Sequence, residues 1–295
     1  ALLILASTTP ILIGIDSAER GGWASPASFG PILVGFLFVA ALIARERVAP
    51  EPMLPLRLFR NPVFSGASVS SILISSVLVG LIILIPLDYQ LVAGVSPQTA
   101  GARMIPFTVG TVLGSGSAGI LVSWTGRYKL QLIFGTASAT LTCAAIAYIG
   151  LGHSLVFDVL ITGVLGTTLG FQLSPTTVTI QNALHWQDTG IGMSCMTFFR
   201  LIGGAFGVAL LSTILIASLT AGAIAIPGHE VLGANPGFAL FHLDEPGNHL
   251  TPALLTALTE TIRRAFSHVF WFASVLLGLS VIGTLALREV PLRDH

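Results

Sequence analysis

Seven stretches of this chain are long and apolar enough to cross a lipid bilayer, and no other feature leaves so few folds open. They run over residues 28–45, 64–87, 104–124, 130–150, 155–178, 194–218 and 267–287, with a further apolar run at 1–15 that reads as a helix lacking its start. A helix spans the hydrocarbon core in about 20 mostly apolar residues. Within lipid, every backbone N–H and C=O must pair inside its own segment or in a closed barrel. These runs lack the apolar–polar alternation of barrel strands. The expectation is an all-α integral membrane protein of about eight helical segments.

Charged residues make up 9% of the chain and hydrophobic residues 53%, where soluble domains carry roughly 25% charged residues. Formal net charge is zero and no basic patch stands out, so the expected partner is the bilayer and not nucleic acid. Gly110 with Gly114, Gly166 with Gly170, and Gly203 with Gly207 each form a GxxxG step. Membrane helices use small residues to approach closely, so all three are read as packing positions. Cys143 and Cys195 lie in apolar runs with no CxxC partner, and read as small apolar residues. The chain opens at Ala1 in mid-run, without the basic n-region of a signal peptide, so it reads as a piece of something longer.

Enzyme motifs break off before they are complete. His229-Glu230 is followed by Gly233 where HExxH needs a second histidine. Ser117 has Ser115, not glycine, two residues before it, so GxSxG fails. Ser194 and His268 are expected at opposite membrane faces and cannot pair. No GxxxxGK[ST] phosphate loop is present. No enzyme, cofactor or metal centre is expected.

The basic residues orient the chain. Arg45, Arg47, Arg57 and Arg60 crowd into 44–62 together with Pro50, Pro52, Pro55 and Pro62. With that stretch cytoplasmic, Arg127, Lys129, Arg288 and Arg293 fall on the same side, eight basic residues against four outside. Positive charge accumulates on the cytoplasmic side, which puts the loop 219–266 outside and the tail 288–295 inside. Each proline biases the residue before it away from helix, so 46–63 reads as a connector. Leu54, Leu56, Leu58 and Phe59 are then free to lie along the membrane surface.

Ionisable residues inside the membrane are the default functional candidates. Arg200 lies roughly 9 Å along its helix if that helix starts at Ser194; it draws an anionic group, pairs with a carboxylate, or snorkels to the headgroups. Asp88 and Asp158 sit near outer helix ends, as gates or as solvated interface residues. Gln172 and Gln181 either hydrogen-bond a substrate or hold helices together. Pro86, Pro106 and Pro175 break or kink helices within or near the membrane.

Several segments together resemble the major facilitator superfamily, and within it the fourteen-helix drug:proton antiporters. "RERVAPEPMLPLRLFRNPVF" is similar to the family's connector before its seventh core helix, through Glu46, Pro52, Pro55, Leu56, Leu58 and Phe59. "LIPLDYQLVAGVSPQTAGARMIPFTVG" matches through Pro86, Gln90, Ser96, Pro97, Ala100, Gly101 and Pro106, with Asp88 where the family carries an aromatic or apolar residue. "FFRLIGGAFGVAL" resembles the eleventh core helix through Arg200, Gly203, Gly204 and Gly207. The loop motif G-x-x-x-D-R-x-G-R-R survives at Gly119, Gly126 and Arg127, with Ser123 and Trp124 in place of its Asp-Arg pair.

The resemblance implies two extra helices at 1–45, the connector 46–63, and a C-terminal six-helix bundle over 64–287. It implies proton-coupled export of small hydrophobic compounds by alternating access, with an N-terminal half completing the pathway. Arg200, Gln172, Gln181, Asp88 and Gln90 become pathway candidates, and Gly119, Gly126 and Arg127 a conformational latch. Export of a dedicated metabolite, anionic if Arg200 is deeply buried, and a half-length membrane scaffold are the alternatives.

Overall fold

The computed structural model describes residues 2–21, 25–48, 56–152, 154–226 and 252–286. The tail 288–295 with its two arginines, most of the connector before residue 56, and residues 227–251 of the expected outer loop lie outside the described residues. Ten α-helices and one 3-10 turn make up the described part. They are α1 (Leu2–Gly21), α2 (Pro26–Val48), the 3-10 turn Leu56–Arg60, α3 (Pro62–Leu91), α4 (Pro97–Arg103), α5 (Ile105–Thr125), α6 (Tyr128–Ile149), α7 (Leu155–Gly170), α8 (Leu173–Ala183), α9 (Trp186–Ile224) and α10 (Pro252–Ala286). Seven spans of membrane length result, and the run at 1–15 contributes the shorter apolar stretch Leu5–Ile15.

Local chemistry sets the helix ends. Asn61 caps α3 by accepting from the N–H groups of Val63 at 3.0 Å and Phe64 at 3.5 Å, with Pro62 in the first helical position. Gly126 ends α5 in the left-handed region, φ 67°, its N–H donating to the Val122 carbonyl at 2.9 Å. Proline explains both interrupted spans. Pro106 and Pro175 lack the N–H that would bond Ala102 and Phe171, four residues earlier. The chain accordingly breaks at Met104 between α4 and α5, and at Phe171–Gln172 between α7 and α8.

Glycine-mediated contact pairs the helices. A Cβ at Gly207 would run into the backbone of Ser76, and one at Gly203 into that of Ile72, so α9 lies directly against α3. Gly110 and Gly114 press on the α7 backbone at Gly163 and Thr167, while Gly166 and Gly170 press back on α5 at Phe107 and Thr111. These are the three GxxxG steps, used as packing positions. α6 pairs with α10, and α1 with α2, the latter hairpin reaching the rest through α1 on α9. The main core gathers Val77, Leu81, Phe107, Ala139, Leu165 and Phe270 between these pairs. Trp124, Tyr148, Trp186, Leu141 and Phe36 remain exposed on the outside, the inverted surface of a protein whose solvent is lipid.

Two helices reach well beyond their apolar runs. α9 starts at Trp186 instead of Ser194, and α10 at Pro252 instead of 267. Between α8 and α9 only residues 184–185 remain as a corner. The capacity to form backbone hydrogen bonds continues where hydrophobicity stops, and Gln187, Asp188, Glu260 and Arg264 are ordinary residues for a helix leaving the bilayer. The surface-lying connector residues are corrected too: Leu58 is buried and Phe59 half-buried in the bundle, because apolar pockets formed by α3, α8 and α9 take them up.

Candidate substrate pathway

Arg200 stands fourteen residues after Trp186 in α9, hence roughly 21 Å along the helix and not 9 Å. Its side chain is half-buried and makes no hydrogen bond or ion pair among the described residues. Gly203 opposes Ile72 and Gly207 opposes Ser76, so Arg200 lies level with Val69 of α3. The α3 backbone there is rich in hydroxyls. Ser76 Oγ donates to the Gly203 carbonyl at 2.7 Å, whereas the buried hydroxyls of Ser68 and Ser71 have no partner among the described residues. A guanidinium unpaired among the described residues suits an anionic or strongly hydrogen-bonding group.

Gln172 fills the break between α7 and α8. Its Oε1 accepts from Thr136 Oγ1 at 3.1 Å and its Nε2 donates to the Thr168 carbonyl at 3.2 Å, while its own carbonyl accepts from Thr176 Oγ1 at 2.6 Å. The amide ties α8 to α6 across a proline break. Gln90 Nε2 donates to the Pro86 carbonyl at 3.1 Å in its own helix. Gln181 is exposed on α8. In the latch motif, Gly126 supplies the left-handed cap, Gly119 faces Ser174, and Arg127 is exposed. Ser123 Oγ donates to the Ile120 carbonyl at 2.7 Å, within its own helix.

The acidic pair overturns the expectation of solvated interface residues: Asp88 is 3% exposed and Asp158 1%. Both Asp158 oxygens accept from the Gly152 N–H, at 3.1 and 3.2 Å, and Arg103 Nη1 lies 3.7 Å away. The Arg103 guanidinium also covers the Tyr89 ring at 5.4 Å from its centroid. Arg263 sits beside Gly150 at the end of α6. Tyr89, Arg103 and Asp158 thus bring α3, α4 and α7 together at the end of the bundle away from the connector. Spacing in sequence could not show it, since 103 and 158 are joined only by the α5–α7 pairing. One available signal was Arg103, a lone basic residue in the last turn of the helix that Ser96 and Pro97 start.

The candidates therefore do not converge. Asp88 and Gln90 lie at the far end of α3, Arg200 in the half of α9 nearer the connector, and Gln172 between α7 and α8. A cleft of about 730 Å³ opens between the outer parts of α9 and α10, lined by Ser218, Gly222, Glu260, Thr261, Arg264 and His268, and it holds none of them. His268 Nδ1 lies 3.2 Å from Ser218 Oγ. Ser218 is 24 residues, roughly 36 Å, along α9 from Ser194, so Ser194 and His268 do not meet. Among the described residues no three His, Cys, Asp or Glu gather as a metal site.

Comparison with known proteins supplies the family. No family model matches the chain. An uncharacterized MFS-type transporter of Mycobacterium tuberculosis is 27% identical over 303 residues, 99% of this chain and 42% of its own length. The multidrug transporter protein MdtP of Bacillus subtilis is 24% identical over 92% of this chain and 54% of its own. The chain thus spans about half the length of these two relatives. A tetracycline resistance determinant of Streptomyces rimosus is 30% identical over 305 residues, covering 95% of this chain and 88% of that protein. With membrane-length helices throughout and likeness along nearly its whole length, the chain belongs to the family of MFS-type transporters.

Proposed function

We propose that this chain is the C-terminal portion of a proton-coupled exporter of hydrophobic compounds, of the fourteen-helix type, in a cell membrane with its connector and C-terminus cytoplasmic. The observation that carries the reading is the likeness to the tetracycline resistance determinant over 95% of the chain. In this reading α1 and α2 are the two extra helices, and α3 to α10 form the C-terminal six-span bundle. An N-terminal half completes the pathway, and rocking of the halves exposes it to each side in turn. Protons and substrate compete by differential affinity for the two states.

Arg200 favours a second version of the same reading, in which the exported compound carries an anionic group. A half-buried guanidinium with no partner among the described residues attracts carboxylate or phosphate and repels cations. The test uses the complete product of the gene in everted membrane vesicles, with ethidium as a cationic probe and fluorescein as an anionic one. Gradient-dependent movement of either dye, abolished by an uncoupler, is the expected result. Arg200→Ala lowers fluorescein transport at least about tenfold, the loss of one charge-assisted contact, and leaves ethidium transport the same or faster. Vesicles that move neither dye under a proton gradient sink the reading.

A further inference from the structure

The proline-rich connector ends in a segment packed into the protein. Leu58 is 5% exposed and joins Phe64, Ala67, Ile180, Leu184, Cys195 and Met196 of α3, the α8–α9 region and α9. The Phe59 ring stands edge-on to Phe64 at 5.2 Å and to Phe199 at 5.8 Å between centroids. Arg57 Nη2 donates to Asp188 Oδ1 at 2.5 Å in the first turn of α9. Asn61 Nδ2 donates to the carbonyl of Ala183, the last residue of α8, at 2.8 Å. Ser65 Oγ closes the turn on α3 by donating to the Phe59 carbonyl at 2.7 Å. A charge pair, a ring and an amide thus hold both sides of the two-residue corner between α8 and α9.

Phe199 is the immediate neighbour of Arg200, and α9 is unbroken from Asp188 through Arg200 to Gly207. A grip on Asp188 and Phe199 brackets the helical turns that end at Arg200. We infer that residues 56–61 form a clasp that sets the position of the connector half of α9, and through it the exposure of Arg200. Arg57, Leu58 and Phe59 act as positioning residues. The Arg57 side chain is 67% exposed, and exposed ion pairs contribute little energy. Leu58 and Phe59 therefore hold the clasp closed, and Arg57–Asp188 selects its register. This stands apart from any transported compound, so a failed transport assay leaves it decidable.

The test needs two readouts on the complete gene product in lipid nanodiscs. Limited trypsinolysis after Arg60 reports opening of the clasp, because a protease cuts only the locally opened segment. Labelling of Arg200→Cys by N-ethylmaleimide, quantified on the peptide carrying position 200, reports the setting of α9. Leu58→Asp is expected to speed cleavage by roughly tenfold or more and to change labelling at least about threefold, as loss of a buried apolar anchor predicts. Arg57→Asp and Asp188→Arg each give smaller changes, and their combination restores both readouts toward the starting values, which a purely destabilising substitution does not. Cleavage of the Leu58→Asp variant at the unsubstituted rate overturns the clasp. Faster cleavage with unchanged labelling overturns its hold on Arg200.

Discussion

Asp158 receives the Gly152 N–H and stands 3.7 Å from an Arg103 guanidinium whose Nε is itself buried without a hydrogen-bond partner. Removing the carboxylate therefore takes the acceptor from a backbone donor and the counter-charge from a guanidinium whose side chain is 20% exposed. Asp158→Ala is expected to cost about 1–3 kcal/mol, the usual penalty for leaving a buried hydrogen-bonding group unpaired. Asp158→Asn keeps an acceptor for Gly152 and is expected to lose less than half as much. Thermal unfolding in detergent, followed by tryptophan fluorescence, measures both; equal losses would mean that the charge carries the whole effect and the backbone contact adds nothing. At this scale the sequence misjudged the surroundings of the two carboxylates. Asp88 and Asp158 lie near helix ends, where chain position suggests water, yet neighbouring helices bury them. Arg200 is the reverse case, a charge marked by its apolar context that stays unpaired among the described residues.

Between elements, the decisive contacts are made where side chains are missing. A Cβ added at Gly207 would press into the Ser76 backbone, which cannot yield as a flexible side chain does. Gly207→Ala is expected to push α9 off α3 and cost about 1–3 kcal/mol, the range for overpacking. Gly116 on α5 has nothing within 4 Å of its would-be Cβ, so Gly116→Ala is expected to be neutral or slightly stabilising through helix propensity. Chemical denaturation of the two variants side by side separates the readings; similar behaviour would show that the α3–α9 seam is not tightly packed. GxxxG spacing made these seams legible in advance, though not which helix each one meets. Proline was legible as a breaker at two of the three positions named: the breaks at Met104 and Phe171–Gln172 follow from the lost N–H groups of Pro106 and Pro175, whereas Pro86 lies inside the continuous α3. Helix ends outside the apolar runs were not legible, because backbone pairing in α9 and α10 continues through polar residues that a hydropathy reading assigns to loops.

Over the whole molecule, the α1–α2 hairpin is sealed within itself by Gly14 against Ile32 and Gly35 against Ile11. It meets the remaining helices through α1 on α9, and α2 turns Phe29, Leu33, Phe36 and Leu37 outward. Deleting residues 1–48 is therefore expected to leave the remaining helices folded, with a melting temperature within about 5 °C of the parent's, a shift of order 1 kcal/mol. Size-exclusion profiles and melting curves check this; an aggregated product would show that the hairpin is integral to the bundle. Membrane residence and helical class were determined by the sequence itself, because crossing lipid demands about 20 apolar residues with internally satisfied backbones. Pairing of α5 with α7 and α3 with α9, docking of the connector's Leu58 and Phe59, and the meeting of Tyr89, Arg103 and Asp158 were decided only in three dimensions. Lipid rewards apolar length equally on every face of a helix, so hydropathy carries no record of which faces meet.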